Sequence, residues 1–320
     1  MLRLFKALLL GLLATLAGQA GAQDYPAKPI KVVVPFGPGS ASDFVTRLLA
    51  NHLSTSLNQS VITDNRPGVG GAMGSEYAAK QPTDGYTLLL GSQGPLVIAP
   101  ALQQGLPYNV TTDFVPVTSL VWSPQAFVVP ADAPYNDIQS LIKFAKANPG
   151  KVQYGSPVAS AQHLIISTFA TRAGIQLTHV PYKGSVPAVT DLLASRIQLV
   201  TDSITVVLPY VRGGKLKALG VTPNTRLQQL PDVPTINEQG VPFNFNNWQV
   251  ILAPTGTPPA VLAKLDTEIR KVLARGDVQK LLVDQGFSIM TMPREAISDY
   301  LKLEQAEWRK IVAASGVKIE

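Results

Sequence analysis

The chain has 320 residues, 46% hydrophobic and 15% charged, with a formal charge of +6 and no cysteine. This composition is globular and not disordered, and it excludes disulfides, zinc–thiolate centres and cysteine nucleophiles. The basic residues are scattered without a Lys/Arg run, so no nucleic-acid stripe is expected, and the mild excess reads as a general preference for anionic solutes.

Arg3 and Lys6 form a basic start, Ala7 to Ala17 is almost all apolar, and Ala20-Gly21-Ala22 fits a small-residue cleavage pattern. Residues 1–22 read as a signal peptide, with a mature start at Gln23 and a periplasmic destination. The apolar run is shorter than the roughly 20 residues of a membrane span. The lack of cysteine also excludes lipoprotein anchoring. What remains is long enough for two ordinary domains.

The mature part opens on a strand, Ile30-Lys31-Val32-Val33-Val34, then a loop, Pro35 to Asp43. Val45, Leu48, Leu49, Leu53 and Leu57 follow at helical spacing. Ser40-x-x-Asp43 has the capping-box form for that helix. Val61-Ile62 is a short strand, Pro67–Gly71 a turn, and a helix follows to about Lys80. Asp84-Gly85 turns into a strand, Thr87–Leu90. This βαβαβ rhythm predicts a mainly parallel sheet covered by helices.

The rhythm restarts with a strand at Phe127–Val129 and a helix at Asp137–Ala147 closed by Asn148-Pro149-Gly150. A strand at Val152–Tyr154, a helix at Ala161–Ala173 and a strand at Ile197–Val200 come next. Ile204–Val211 is a short helix, Leu216–Val221 a strand, and 258–274, 277–285 and 293–314 are helices. Two extended stretches, Thr118–Pro130 and Phe243–Pro258, are rich in Trp, Pro and β-formers. If both cross between lobes, the middle lobe is an insertion. Lobe 1 is then 23–123 with 249–320, and lobe 2 is 124–248. Two crossings make a hinge suited to closing on a ligand.

The loop Pro35–Asp43 is the leading site candidate. Gly37 and Gly39 remove bulk in front of a helix N-terminus, where free N–H groups and the helix dipole favour an anion. Ser40 and Ser42 add hydroxyls, and Ala41 keeps the first turn small. Phe36 is a candidate wall and Asp43 a candidate reader of a ligand amine or hydroxyl, although caps are commoner for Asp. Three more small-residue loops qualify. Gly91–Pro95 carries Ser92 and Gln93. Tyr154–Ser160 carries Ser156, Ala159 and Ser160, with His163 just inside the next helix. Pro181–Ser185 carries Tyr182, Lys183, Gly184 and Ser185. Asp202 lies on a later segment. In open α/β sheets ligands bind outside the carboxyl ends of the strands, and four such loops split between two lobes point to a shared cleft.

Catalysis has little support. The three histidines, His52, His163 and His179, match no metal motif such as H-E-x-x-H, and no G-x-S-x-G elbow is present. The Gly68–Gly74 run does not fit G-x-G-x-x-G, because its third glycine falls one residue late. No metal, cofactor or catalytic residue is expected. A hydrolase or isomerase using Ser156 or His163, and a sensory or protein-interaction module, are the alternatives.

Taken together, the motifs resemble the tripartite tricarboxylate transporter substrate-binding proteins, the TctC or Bug family. The matching stretches include Val34-Pro35-Phe36-x-Pro38-Gly39-x-x-x-Asp43, Asp64-Asn65-Arg66-Pro67-Gly68-x-Gly70-Gly71 and Asp84-Gly85-Tyr86-Thr87-Leu88-Leu89. Further on come Tyr154-Gly155-Ser156, His163-Leu164, His179-Val180-Pro181-Tyr182-Lys183-Gly184-Ser185-x-Pro187-Ala188, Pro231-Asp232-Val233-Pro234-Thr235 and Ala253-Pro254-x-Gly256-Thr257-Pro258. They run in order through nearly the whole mature chain.

The resemblance implies a two-lobed periplasmic binding protein (type II-like), each lobe a mainly parallel sheet flanked by helices. It implies a small carboxylate ligand: a dicarboxylate, tricarboxylate, amino acid or aromatic acid. Loops matching 36–43, 155–160 and 182–187 would hold it by backbone N–H groups, hydroxyls and bridging waters. The implied partner is a membrane permease or a sensor-kinase periplasmic domain, and the implied state a monomer. Three departures bear on the ligand. Ser40 stands where many members have glycine, Val158-Ala159-Ser160 replaces a Gly-rich run, and Thr201 stands where phenylalanine is common.

Overall fold

The computed structural model describes residues 25–103, 105–158 and 160–315. The expected signal peptide at 1–22 and the site candidate Ala159 lie outside the described residues. Short β-branched runs set the strands and amphipathic segments the helices. In chain order they are β1 (Ile30–Val34), α1 (Ala41–Ser56), β2 (Val61–Asn65), α2 (Ala72–Ala79), β3 (Thr87–Ser92), β4 (Phe114–Ser123), β5 (Gln125–Pro130), α3 (Ile138–Ala147), β6 (Gln153–Pro157) and α4 (Ala161–Ala173). Then come β7 (Thr178–Tyr182), α5 (Ser185–Leu193), β8 (Val200–Ser203), α6 (Ile204–Arg212), β9 (Leu216–Val221), β10 (Asn247–Pro254), α7 (Pro259–Leu273), α8 (Gly276–Asp284), β11 (Ser288–Ile289) and α9 (Arg294–Ser315).

The first lobe is built on a six-stranded sheet ordered β11-β4-β10-β3-β1-β2. Strand β1 runs parallel to β2 and β3. Strand β10 is antiparallel to β3 and β4, and β11 is antiparallel to β4. In the second lobe β5 lies antiparallel between β8 and β9, and β6 pairs parallel with β7. The expectation of mainly parallel sheets is corrected here: both lobes are mixed. Strands β4 and β10 come from the extended stretches flanking the middle of the chain, and they pair in opposite directions inside the first sheet. Residues this far apart carry no local signal of direction.

Two layers of side chains sandwich the first sheet. One core holds Val32, Val34, Leu88, Leu90 and Ile251 beneath Val45, Leu49 and Leu53 of α1 and Leu265 and Ile269 of α7. On the opposite face Val33, Leu89, Trp248 and Val250 join a core that continues into the second lobe through Phe127, Phe169 and Phe243. The chain passes between lobes at Pro124, the single residue between β4 and β5, and returns into β10. The terminal helices were expected to pack back onto the first lobe. Helices α7 and α8 do so, whereas α9 packs on β4 and also on α4 of the second lobe.

Three local differences concern the site. Strand β3 runs on to Ser92, and a π-helical turn at Gly94–Ile98 follows, so the expected open loop at Gly91–Pro95 is buried. Strand β7 precedes the loop at 183–184, hidden in the sequence by Pro181. Strand β8 sits a few residues later than expected and puts Asp202 inside a sheet.

Candidate functional site

The loop leaving β1 is fixed from several sides. Ser40 is the N-cap of α1, and its hydroxyl accepts from the Asp43 N–H at 3.2 Å. Such a cap stabilises a helix by about 1 kcal/mol. The Asp43 carboxylate reaches back to the N–H of Gly39 at 3.0 Å, one residue earlier than a capping box requires. It also accepts from Arg47 Nε and Asn65 Nδ2, both at 3.0 Å. The same Asn65 amide donates to the Phe36 carbonyl at 3.0 Å. Burial works against ionisation of Asp43, but the hydrogen bonds from Arg47, Gly39 and Asn65 outweigh it and hold the carboxyl below its ordinary range. Asp43 therefore braces the loop. Gly39, at φ +79°, takes the left-handed turn that brings the chain into the helix. Ala41 and Ser42 form the first turn, with Ser42 buried and its carbonyl bonded to Thr46. Gly37 has open space around its Cα hydrogens.

The second jaw is made by two helix starts. Ser160 caps α4, accepting from the His163 N–H at 3.2 Å and donating to the Pro157 carbonyl at 2.7 Å. Ser185 and Val186 open α5 after Gly184, with Lys183 exposed beside them. The Tyr182 hydroxyl donates to Asp191 at 2.8 Å; burial, then the bond to that carboxylate, pushes its pKa up to about 12. The Tyr182 ring closes over Gly155, where any Cβ would lie 2.8 Å from it. Asp202 is only 3% exposed and accepts from the Ser203 N–H at 2.7 Å. Burial lifts it to about 6, although the nearby polar groups of Ser185, Ser203 and Gln162 pull the other way.

These jaws meet. A Cβ placed on Gly39 would stand 3.3 Å from Cγ2 of Val186. Behind them the Ser123 and Ser203 hydroxyls bond at 2.9 Å, tying the end of β4 to the end of β8. The structure therefore brings loop 36–43 to the α5 start, and the Gln162–Ser185 hydrogen bond at 3.5 Å extends that surface to α4. Ser92 ends β3 and Gln93 follows it, just beside Phe36, whose ring is 3.7 Å from where a Cβ on Gly94 would be. A surface recess of about 600 Å³ lined by Pro100, Tyr108, Asn109 and Arg309 includes none of these residues.

Ser156 and His163 do not form a pair. The Ser156 hydroxyl bonds His179 Nε2 at 2.9 Å, and His163 stacks on His179 with ring centres 3.9 Å apart. Burial, then repulsion from His179, pulls His163 down to about 4. Among the described residues no group of three His, Cys, Asp or Glu could hold a metal ion.

Buried polar residues near the crossing, Thr201 apart, escaped sequence reasoning. Gln125, Thr201, Ser203 and Thr222 are buried where the lobes join. The Gln125 N–H donates to Thr222 Oγ1 at 3.2 Å, and Thr201 Oγ1 donates to Gln125 Oε1 at 3.4 Å. Gln249 is buried in β10. The available signal was a single polar residue inside an apolar strand run, as in Trp248-Gln249-Val250-Ile251.

Two α/β lobes joined by paired crossings, with helix N-termini opposed between them, define a two-lobed solute-binding protein. Residues 45–317 match the model described as "Tripartite tricarboxylate transporter family receptor". The chain belongs to this family, TctC. It is 41% identical over 291 residues to a UPF0065 protein from the tcbD-tcbE intergenic region of Pseudomonas sp. (strain P51), which spans 90% of this chain and 86% of the relative. Among solved structures it is similar to Rpa4515 of R. palustris with adipate, at 32% identity and TM-score 0.89, covering 92% of this chain and 99% of that one. It is also similar to MatC (Rpa3494) of Rhodopseudomonas palustris with bound malate, at 28% identity and TM-score 0.85, covering 90% of this chain and 100% of that one.

Proposed function

We propose that this chain is the periplasmic receptor of a tripartite tricarboxylate-type uptake system and captures a small carboxylate between its lobes. The single observation that carries the reading is the close approach of Gly39 to Val186, where a Cβ built on Gly39 would stand 3.3 Å from Val186 Cγ2, which sets the start of α1 against the start of α5. Free N–H groups and helix dipoles on both sides favour an anion there. The similar proteins solved with adipate and malate support a carboxylate as that anion. One carboxyl group meets residues 36–43, and the other end meets 155–160 and 182–187. Three or four charge-assisted hydrogen bonds of about 1.5–3 kcal/mol each supply micromolar binding after ordering costs.

In this reading lobe 1 comprises 23–123 and 249–320 and lobe 2 comprises 124–248, with Asn247 and Trp248 already paired to β4. Cleavage after Ala22 releases the mature monomer into the periplasm, where it hands its ligand to a membrane permease or a sensor domain. In this reading it binds without catalysis, and the Ser156 hydroxyl, bonded to His179 Nε2, is buried. A thermal screen against a carboxylate library tests the proposal. At a hundred times Kd, a true ligand adds about 2.7 kcal/mol and raises the melting temperature by several degrees. Ser40→Ala and Lys183→Ala should weaken that shift. If no small acid raises the melting temperature, the reading fails; turnover of a bound acid would replace it with an enzyme.

A further inference from the structure

Helix N-termini offer only donors, and they account for one kind of ligand group. The floor beneath them is of the opposite kind. Gln249 is 1% exposed, and its Oε1 has no hydrogen-bond partner. Its neighbours Trp248 and Val250 point into one core and Ile251 into the other, so the alternation of a strand puts Gln249 on the Ile251 face. Across the β10–β3 pair it is opposite Ser92, itself 2% exposed, which by the same alternation shares a face with Leu88 and Leu90. That is the face covered by α1, with Phe36 and Phe44 packed against its core. Gln249 and Ser92 thus end the sheet under the loop 36–43.

Two more unpartnered acceptors lie at the same end of the pair. Gln93 donates from Nε2 to Glu304 Oε2 at 3.1 Å and to the Asn246 carbonyl at 3.4 Å, which fixes its amide orientation and leaves Oε1 unpaired. Asn246 Oδ1 is likewise buried without a partner. A buried carbonyl oxygen without a donor is costly, and a glutamine amid valine, isoleucine and leucine has no packing reason to be there.

We propose that Gln249, with Ser92 beside it, reads a hydrogen-bond donor on the bound acid, so that this receptor selects hydroxy- or amino-substituted carboxylates over their unsubstituted analogues. The inference rests on the carboxylate reading above. The carboxylate takes the N–H groups of the α1 start, and the hydroxyl or ammonium on the adjacent carbon donates downward to Gln249 Oε1. An analogue lacking that donor leaves the oxygen buried and unpaired, which is the arrangement that discriminates most strongly.

Titration calorimetry of the mature chain with matched acids tests it: succinate against malate and aspartate, and 3-phenylpropionate against phenyllactate and phenylalanine. In the pair that binds, the donor-bearing acid should be tighter by roughly tenfold or more. Gln249→Leu should bring that ratio to within about twofold, and Ser92→Ala should reduce it. Melting of each unliganded variant shows whether it folds, and Ser92→Ala decides the matter should Gln249→Leu not fold. Equal affinities in every binding pair, or a ratio that survives both substitutions, overturns this inference alone. Failure of every acid to bind overturns the carboxylate reading and this inference with it.

Discussion

Asp43 shows how one residue can look like a ligand reader and act as a brace. Its carboxylate joins Gly39, Arg47 and Asn65, and through Asn65 the Phe36 carbonyl. Asp43→Ala should cost about 2–3 kcal/mol in urea unfolding and weaken ligand binding through a loosened loop, while Asp43→Asn costs less. The sequence pattern Ser40-x-x-Asp43 made the helix start legible. It could not show that the return bond goes to Gly39, because that depends on the left-handed turn at Gly39. Gln249 was only partly legible for a related reason: it stands out as a polar residue in an apolar run, but burial of a strand residue is decided by which strands flank it.

His163 makes the pH dependence testable at the same scale. An unfolded histidine titrates near 6.5, whereas His163 is held down to about 4. The unfolded chain therefore binds this proton first as pH falls, so the His163 contribution, up to about 3 kcal/mol, is lost between about 6.5 and 4, while Asp202, raised to about 6, contributes in the opposite sense over much of the same range. His163→Phe should remove the His163 loss, so that the urea midpoint of the variant rises relative to the parent chain as pH falls through that window. An unchanged slope would show that the buried stack with His179 is not its source.

At the level of elements, the helices and the first three strands were readable from spacing, because caps and apolar periodicity are local. The direction of β4 and β10 was not, since pairing is settled by partners distant in sequence. The glycine-rich segment after β2 gives a sharp contrast between elements. A Cβ on Gly74 would stand 2.8 Å from the Arg66 carbonyl and 2.9 Å from Pro35 Cα, so α2 packs directly on the backbone of the site loop. Gly74→Ala should cost about 1–3 kcal/mol and lower affinity for whichever acid binds. Gly37→Ala, with nothing within 4 Å, should change stability by no more than about 0.5 kcal/mol. Thermal melts of the two variants side by side check the contrast.

For the whole molecule, the lobes share more than two connecting strands. Thr205 Oγ1 donates to the Gln285 carbonyl at 2.9 Å, and Ile204 fills the space beside Gly286. Trp308 of α9 meets Phe245 edge-on at 5.3 Å inside the core common to both lobes. Trp308→Ala should cost about 3–5 kcal/mol, and the variant should still unfold in one transition by circular dichroism and fluorescence. Two separated transitions would show that the halves are energetically independent.

Helix α9, resting at once on β4 and on α4, works like a strap buckled over the back of a clamp. Such a strap keeps the rear edges together while the front lips part, so solute entry is a narrow gape and not a wide swing. Scattering profiles of the empty and loaded protein should then nearly superpose, and trimming the strap from its tail end should widen the empty form first.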